Sequence, residues 1–274
     1  MIAVLGTGLL GTGFSRALLA KGETVHVWNR TPGKARAIDG AVAFDDPAEA
    51  VRGASRVHVV VSDDAAVDSV LARLPAGLHV YDHSTTSTAG ARERTARTDL
   101  VYLHAPVFMG PQNARDSTGL MLISGDRARV AAAQPLLAPM TGKLVDLGER
   151  VDAAACFKLM GNLFLMAFTA GIADMLGLAK AMGVPAAEAA SLFDHFNPAT
   201  SIGARAKRMI DGAFEPPSWE LAMARKDARL IEGEARLAGV DLALAPAIAA
   251  RMDRYLGEGL GNLDWTVIAR DFVA

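Results

Sequence analysis

The chain has 274 residues, 51% of them apolar and 21% charged, with 28 lysines and arginines against 30 aspartates and glutamates for a net charge of −2. This composition excludes a disordered chain, and the balanced charge gives no reason to expect a nucleic-acid partner. The single cysteine, Cys156, cannot close an internal disulfide, so the fold needs no oxidising compartment and a cytoplasmic location is expected.

The length suggests two domains at about 100–200 residues each. Residues 2–5 read as a buried strand running straight into a glycine loop, so no leader peptide is expected. Further apolar runs follow at 24–28, 57–61, 78–82, 100–104 and 120–124, with amphipathic stretches between several of them. Alternation of this kind marks parallel strands joined by crossover helices, an α/β doubly wound sheet of the Rossmann type. Beyond Asp146 the pattern becomes helical, at 151–182, 185–195, 202–210, 221–238 and 246–255. A boundary near 148–152 follows, giving a Rossmann domain over 1–150 and an all-helical domain over 151–274. Within the first long helix, residues 159–173 are apolar. They fall short of the roughly 18 residues a membrane span requires and contain Asn162 and two glycines, so a buried helix is expected and a membrane partner is not.

Gly6-Thr7-Gly8-Leu9-Leu10-Gly11 lies directly after a strand and opens a helix, the context that makes this spacing a dinucleotide signature. Gly6 permits the tight turn, Gly8 lets backbone approach a pyrophosphate, and Gly11 brings helix and strand close, with helix N–H groups facing the negative charge. The next strand should end on an acid that bonds the ribose 2′-hydroxyl. Here it ends in Asn29, followed by Arg30, Thr31 and Lys34, whose guanidinium, hydroxyl and ammonium suit a 2′-phosphate. NADPH is therefore expected over NADH, unless Arg30 and Lys34 are merely solvated surface charges. Val61 and Ser62, at the end of the 57–61 strand, are placed along the same cofactor. No metal ligand set is assigned.

Lys158 and Asn162 are four residues apart and share one face of an apolar helix. Such a lysine either snorkels to water or works, because desolvation lowers its pKa toward the range where it can protonate a developing alkoxide. Taken by itself, Ser84-Thr85 reads as a strand-end turn capping the next helix, and Lys226-Asp227 as a surface charge pair.

The order of these motifs resembles the β-hydroxyacid dehydrogenase family, which includes 3-hydroxyisobutyrate dehydrogenases, tartronate semialdehyde reductases and glyoxylate/succinic semialdehyde reductases. The resemblance covers essentially the whole chain and rests on Gly6-Gly8-Gly11, on Asp82-His83-Ser84-Thr85-Thr86, on Ala105-Pro106-Val107 through Gly119, on Lys158 with Asn162, and on Lys226-Asp227. It implies a nicotinamide lying between the two domains and Lys158 as general acid or base, with Asn162 beside it. It also implies Ser84 and Thr85 near cofactor or substrate, Lys226 near the cofactor, and Asp227 helping to position it at the substrate. Where the family usually carries a serine and two glycines after Ala-Pro-Val, this chain has Phe108-Met109-Gly110-Pro111. Phe108, Met109 and Gly110 are thus candidate substrate-lining residues of more apolar character, and Pro111 removes a backbone donor. His104 stands where the family often has an acid, and no role is assigned to it.

The resulting expectation is an NADPH-dependent oxidoreductase that moves a hydride between the nicotinamide and a small carbonyl or alcohol. Imine reduction on the same fold and a catalytically silent NADPH-binding module are the alternatives, and the presence of Lys158 weighs against the second. The apolar long helix and the modest size of the helical domain predict a homodimer or larger assembly.

Overall fold

The computed structural model describes residues 1–273. Contacts divide the chain into two compact units, Met1–Asn162 and the residues from Leu163 onward. The division falls inside one continuous helix.

The first unit begins with β1 (Ile2–Leu5), α1 (Leu9–Ala20), β2 (Val25–Trp28), α2 (Pro32–Arg36), β3 (Val42–Phe44), α3 (Pro47–Ala50), β4 (Arg56–Val59), α4 (Asp64–Leu71), β5 (His79–Asp82), α5 (Thr88–Thr95) and β6 (Val101–His104). These strands form a six-stranded parallel sheet in the order β3-β2-β1-β4-β5-β6. The central strands are buried on both sides: all four residues of β1 are inaccessible to solvent, as are Val57 and Val59. A sheet covered on both faces needs such unbroken apolar runs, which explains why they were visible in the sequence.

The remainder of the unit is β7 (Val107–Phe108), α6 (Pro111–Asp116), β8 (Leu120–Ile123), α7 (Arg127–Leu137) and β9 (Lys143–Asp146), followed by the start of α8 (Ala153–Ala181). Here the structure corrects the single sheet expected from the strand pattern. The strand at 120–124 does not extend the main sheet but sits in the middle of a separate three-stranded one, antiparallel to β7 and parallel to β9. Three strands were not expected at all: β3, β7 and β9. Each is short or half-exposed and has neither a clear period of two nor a long apolar run, the local signals a strand gives.

The second unit comprises the rest of α8, then α9 (Ala186–Ala190), α10 (Leu192–His195), α11 (Ile202–Ile210), α12 (Leu221–Leu237) and α13 (Ala245–Gly257), and closes on a 3-10 segment, Trp265–Phe272. The helix expected over 185–195 is two short ones. Leu221, Ala224, Met252, Tyr255 and Val267 form the centre of this unit's core. Asp174 of α8 accepts backbone N–H bonds from Ala243, Leu244 and Ala245 at 2.7, 2.8 and 3.1 Å. A carboxylate at the first turn of α13 satisfies donors that the helix itself cannot and meets the positive end of its dipole.

By length and composition alone, α8 is apolar enough to cross a membrane. Its apolar side chains are instead well exposed within the single chain, with Leu163 at 70% and Met166 at 66%.

Candidate active site

Strand order reverses direction of growth between β1 and β4, and in an open parallel sheet the crevice at that switch point is where ligands bind. A cleft of about 890 Å³ lies there. Gly6, Gly8, Leu9 and Leu10 line it from the loop after β1 and the first turn of α1, and Asn29, Arg30, Thr31 and Lys34 from the loop after β2 and from α2. Val61 and Ser62 line it from the loop after β4. All ten were expected from the sequence.

The glycine loop has its shape for physical reasons that the coordinates make explicit. Gly6 has φ +102°, and any side chain there would collide with the Val60 carbonyl; a Cβ on Gly11 would collide with the Gly6 carbonyl oxygen. Gly11 therefore lies behind the loop rather than in the cleft. At Gly8 nothing stands within 4 Å of where a Cβ would be, so the backbone faces open space. This exposed N-terminal turn, a long cleft and unpaired cations at one end fit a dinucleotide with its phosphates.

Besides Gly11, the expected cofactor residues Thr7, Ser84 and Thr85 of this unit are outside the lining of the cleft. The Thr7 N–H donates to Asn29 Oδ1 at 3.0 Å. Asn29 Nδ2 in turn donates to the Thr31 carbonyl at 3.1 Å. Asn29 thus ties the glycine loop to the segment that carries Arg30. Ser84 is buried behind the cleft, and its Oγ accepts the Val61 N–H at 3.0 Å. Asp63, Ala66, Ser69, Val70 and Pro111 also line the cleft and were missed; Met109, expected at the substrate, lines it as well. The switch point itself is the signal that could have found the α4 residues; for Pro111 there was none, because its approach depends on the second sheet.

Lys158 lies one and a half turns into α8 and is 9% exposed. Its Nζ donates to Asn162 Oδ1 at 3.0 Å and lies 4.2 Å from the centre of the Phe108 ring. Gly161 makes that arrangement possible, since a Cβ there would come within 2.7 Å of Phe108 Cε1. Burial pushes the Lys158 ammonium below its usual pKa. Among the described residues no carboxylate pairs with it, so its positive charge is held by one amide oxygen and one aromatic face. Lys158, Asn162 and Phe108, assigned separately from the sequence, are brought together. Lys226 and Asp227 lie on α12 in the second unit, half-exposed and paired with each other at 2.5 Å.

Behind Ser84-Thr85 lies a set of buried polar groups. Asp82 accepts the Ser84 N–H at 2.9 Å and the Tyr102 hydroxyl at 2.7 Å. His104 Nε2 lies 2.9 Å from the Ser84 carbonyl, which fixes it as the donor nitrogen. His83 Nδ1 donates to the Ala105 carbonyl at 2.7 Å, so its Nε2 must accept from His58 Nδ1 at 2.9 Å, and His58 Nε2 accepts from Arg56 Nε at 3.2 Å. His104 thus pins the Ser84-Thr85 turn.

Residues 1–148 match the NAD binding domain of 6-phosphogluconate dehydrogenase. A probable 3-hydroxyisobutyrate dehydrogenase of Mycobacterium tuberculosis is 32% identical over 209 residues, covering 73% of this chain and 69% of that one. Glyoxylate/succinic semialdehyde reductase 1 of Arabidopsis thaliana is 25% identical over 97% of this chain and 96% of its own. Among solved structures, an imine reductase from Myxococcus stipitatus in complex with NADP+ superimposes with a TM-score of 0.91 at 21% identity, covering 98% of this chain and 99% of that one; it shares the fold. With a glycine loop at the switch point and a lysine–asparagine pair on the following long helix, the chain belongs to the 6-phosphogluconate dehydrogenase-like, hydroxyacid dehydrogenase family and is an NAD(P)-dependent oxidoreductase.

Proposed function

We propose that this enzyme reduces a small aldehyde or ketone with NADPH, or runs the reverse oxidation, and that Lys158 supplies the proton. The observation that carries this reading is the buried, carboxylate-free Lys158 ammonium held between Asn162 and Phe108. When bound, the nicotinamide supplies a hydride to the carbonyl carbon. Negative charge then develops on the carbonyl oxygen, where the ammonium both stabilises it and donates a proton. Lys158 is left neutral, a state its burial already favours, and regains its proton from solvent. Asn162 keeps Nζ oriented. Ser84 and Thr85 position cofactor or substrate from the turn after β5, and Phe108, Met109 and Gly110 shape the substrate pocket; Lys226 and Asp227 serve the cofactor and the substrate from α12.

A second reading is reduction of cyclic or apolar imines. It is supported by the Phe108 ring lying against Lys158, where relatives of the family carry a serine, and by the likeness to the Myxococcus stipitatus imine reductase. A panel of semialdehydes, apolar aldehydes and cyclic imines, each assayed with NADPH and NADH, decides between them. Turnover confined to imines would remove the carbonyl reading.

NADPH preference is supported by Arg30 and Lys34, just beyond the end of β2; among the described residues neither is held in an ion pair, although Asp63 lines the same cleft and faces Arg30. Wild-type protein is expected to bind NADPH more tightly than NADH, and Arg30→Ala to erase most of the difference; equal affinities in the wild type would sink this assignment.

We also place the protein in the cytoplasm as a homodimer or larger assembly. Leu163, Phe164, Met166 and Phe168 of α8 are each more than half exposed in the single chain, and so large an apolar strip calls for a covering surface. Light scattering at micromolar concentration is expected to give at least twice the 28.7 kDa chain mass. A monomer would contradict it.

A further inference from the structure

A second cavity, of about 300 Å³, opens on the other side of the glycine loop, between α1 and α6. Three cations from three different helices line it: Arg16 of α1, Lys34 of α2 and Arg115 of α6. No acidic side chain does. Among the described residues, none of the three makes an ion pair, while Arg36 and Arg94 of the same unit are matched to Asp45 and to Asp64 and Asp68. Asp116, next to Arg115, is instead bonded by Gln112 at 2.7 Å.

The convergence is built into the packing. A Cβ on Gly13 would come within 2.8 Å of Ala114 Cβ and 3.2 Å of the Arg115 backbone nitrogen, so α6 docks on α1 at a distance only glycine allows. At the far end of α6, Lys21 donates to Ser117 Oγ at 2.6 Å and fixes the pair of helices lengthwise. Arg16, one turn along from Gly13, and Arg115, next to Ala114, are thereby held over the same opening. Three like charges gathered without counter-charge repel one another, and a dianion removes that repulsion. The N-terminal turn of α1, at Gly8 and Leu9, adds its dipole. Thr7, 3% exposed, also borders the cavity, and its hydroxyl has no partner among the described residues.

Lys34, Gly8, Leu9 and Pro111 line both this cavity and the dinucleotide cleft, so the two adjoin along these residues. We propose that Arg16 and Arg115 complete the site for the 2′-phosphate of the dinucleotide and are specificity determinants for it. This rests on the NADPH preference stated above and extends it to α6. That helix directly follows Phe108, Met109 and Gly110, so the segment that shapes the substrate pocket also reads the nucleotide.

The test is calorimetric titration of the full-length wild type and of Arg16→Ala, Arg115→Ala and Arg30→Ala with adenosine 2′,5′-bisphosphate, with 5′-AMP and with inorganic phosphate. Loss of one charge-assisted contact is expected to weaken adenosine 2′,5′-bisphosphate by at least about fivefold in each variant, while 5′-AMP stays within about twofold and so reports an intact fold. If the wild type favours the bisphosphate but Arg16→Ala and Arg115→Ala keep its full affinity, the phosphate is held by Arg30 and Lys34 alone and this inference is wrong while NADPH preference stands. A wild type that binds both nucleotides equally overturns the preference and the inference together. Variants that lose only inorganic phosphate would mark a separate phosphate site, which also overturns it.

Discussion

Replacing Lys158 by methionine is expected to lower turnover by about 10²- to 10⁴-fold, the range for removing a general acid from its transition state. Methionine keeps the length and apolar character of the stem, so packing against Phe108 survives and only the ammonium is lost. NADPH affinity should stay nearly unchanged, because the proposed pyrophosphate site is the glycine loop, Gly6 to Gly11, and not the Lys158 side chain. Asn162→Ala should cost less, since it removes an orienting acceptor rather than the proton donor. Steady-state kinetics on the best substrate of the panel, with NADPH dissociation constants measured separately, make the distinction. Near wild-type turnover in Lys158→Met, with circular dichroism unchanged, would reduce the lysine to a snorkelling helix residue.

The second large effect is on stability in mild acid. Burial holds His83 at a pKa of about 4, and burial together with the neighbouring His83 and Arg56 pushes His58 well below its usual value; burial lowers His104 too. The hydrogen-bond chain explains why a proton is unwelcome: His83 Nε2 and His58 Nε2 must both remain acceptors, and protonating either would point N–H at N–H. The unfolded chain, with ordinary histidines near 6.5, binds more protons than the folded one between pH 6.5 and 4. Stability from these groups is therefore fully present above pH 6.5 and is lost as pH falls through that window. For His83 alone the loss approaches about 3 kcal/mol at the lower end, from roughly 1.4 kcal/mol per pKa unit. Carboxylates such as Asp264, held well below the usual range by bonds from Ser218 and Thr266, contribute only at still lower pH. Urea midpoints at pH 7.5, 6 and 5 should fall steadily, and a flat profile over that span would show that the buried histidines take up protons freely.

How much of this was legible in sequence depended on whether the signal was local. The glycine loop, the Asn29–Lys34 segment and the Lys158–Asn162 pair are each contained in a few residues whose spacing carries their geometry, and the structure puts them where that spacing implies. The histidine chain could not be read in the same way. His58, His83 and His104 come from three neighbouring strands, and they meet only because β4, β5 and β6 are adjacent with Val59 opposite Asp82 and Asp82 opposite His104. Arg16 and Arg115 are 99 positions apart in the numbering (115 − 16) and share an opening because Gly13 lets two helices touch. The short strands β3, β7 and β9 were invisible for a related reason: partners elsewhere in the chain stabilise them, and their own residues show little preference.

The Phe108 ring occupies the volume that a side chain on Gly161 would need, although 53 positions (161 − 108) separate them in the chain. The two sites therefore behave as one space-filling unit. A methyl group added at 161 alone overpacks a fixed aromatic ring, a kind of change that typically costs about 1–3 kcal/mol, and it drives the ring off the lysine. A small residue at 108 alone opens a void beside the ammonium and admits water to it. Resizing either position in this chain therefore calls for a paired exchange, bulk leaving one position as it enters the other.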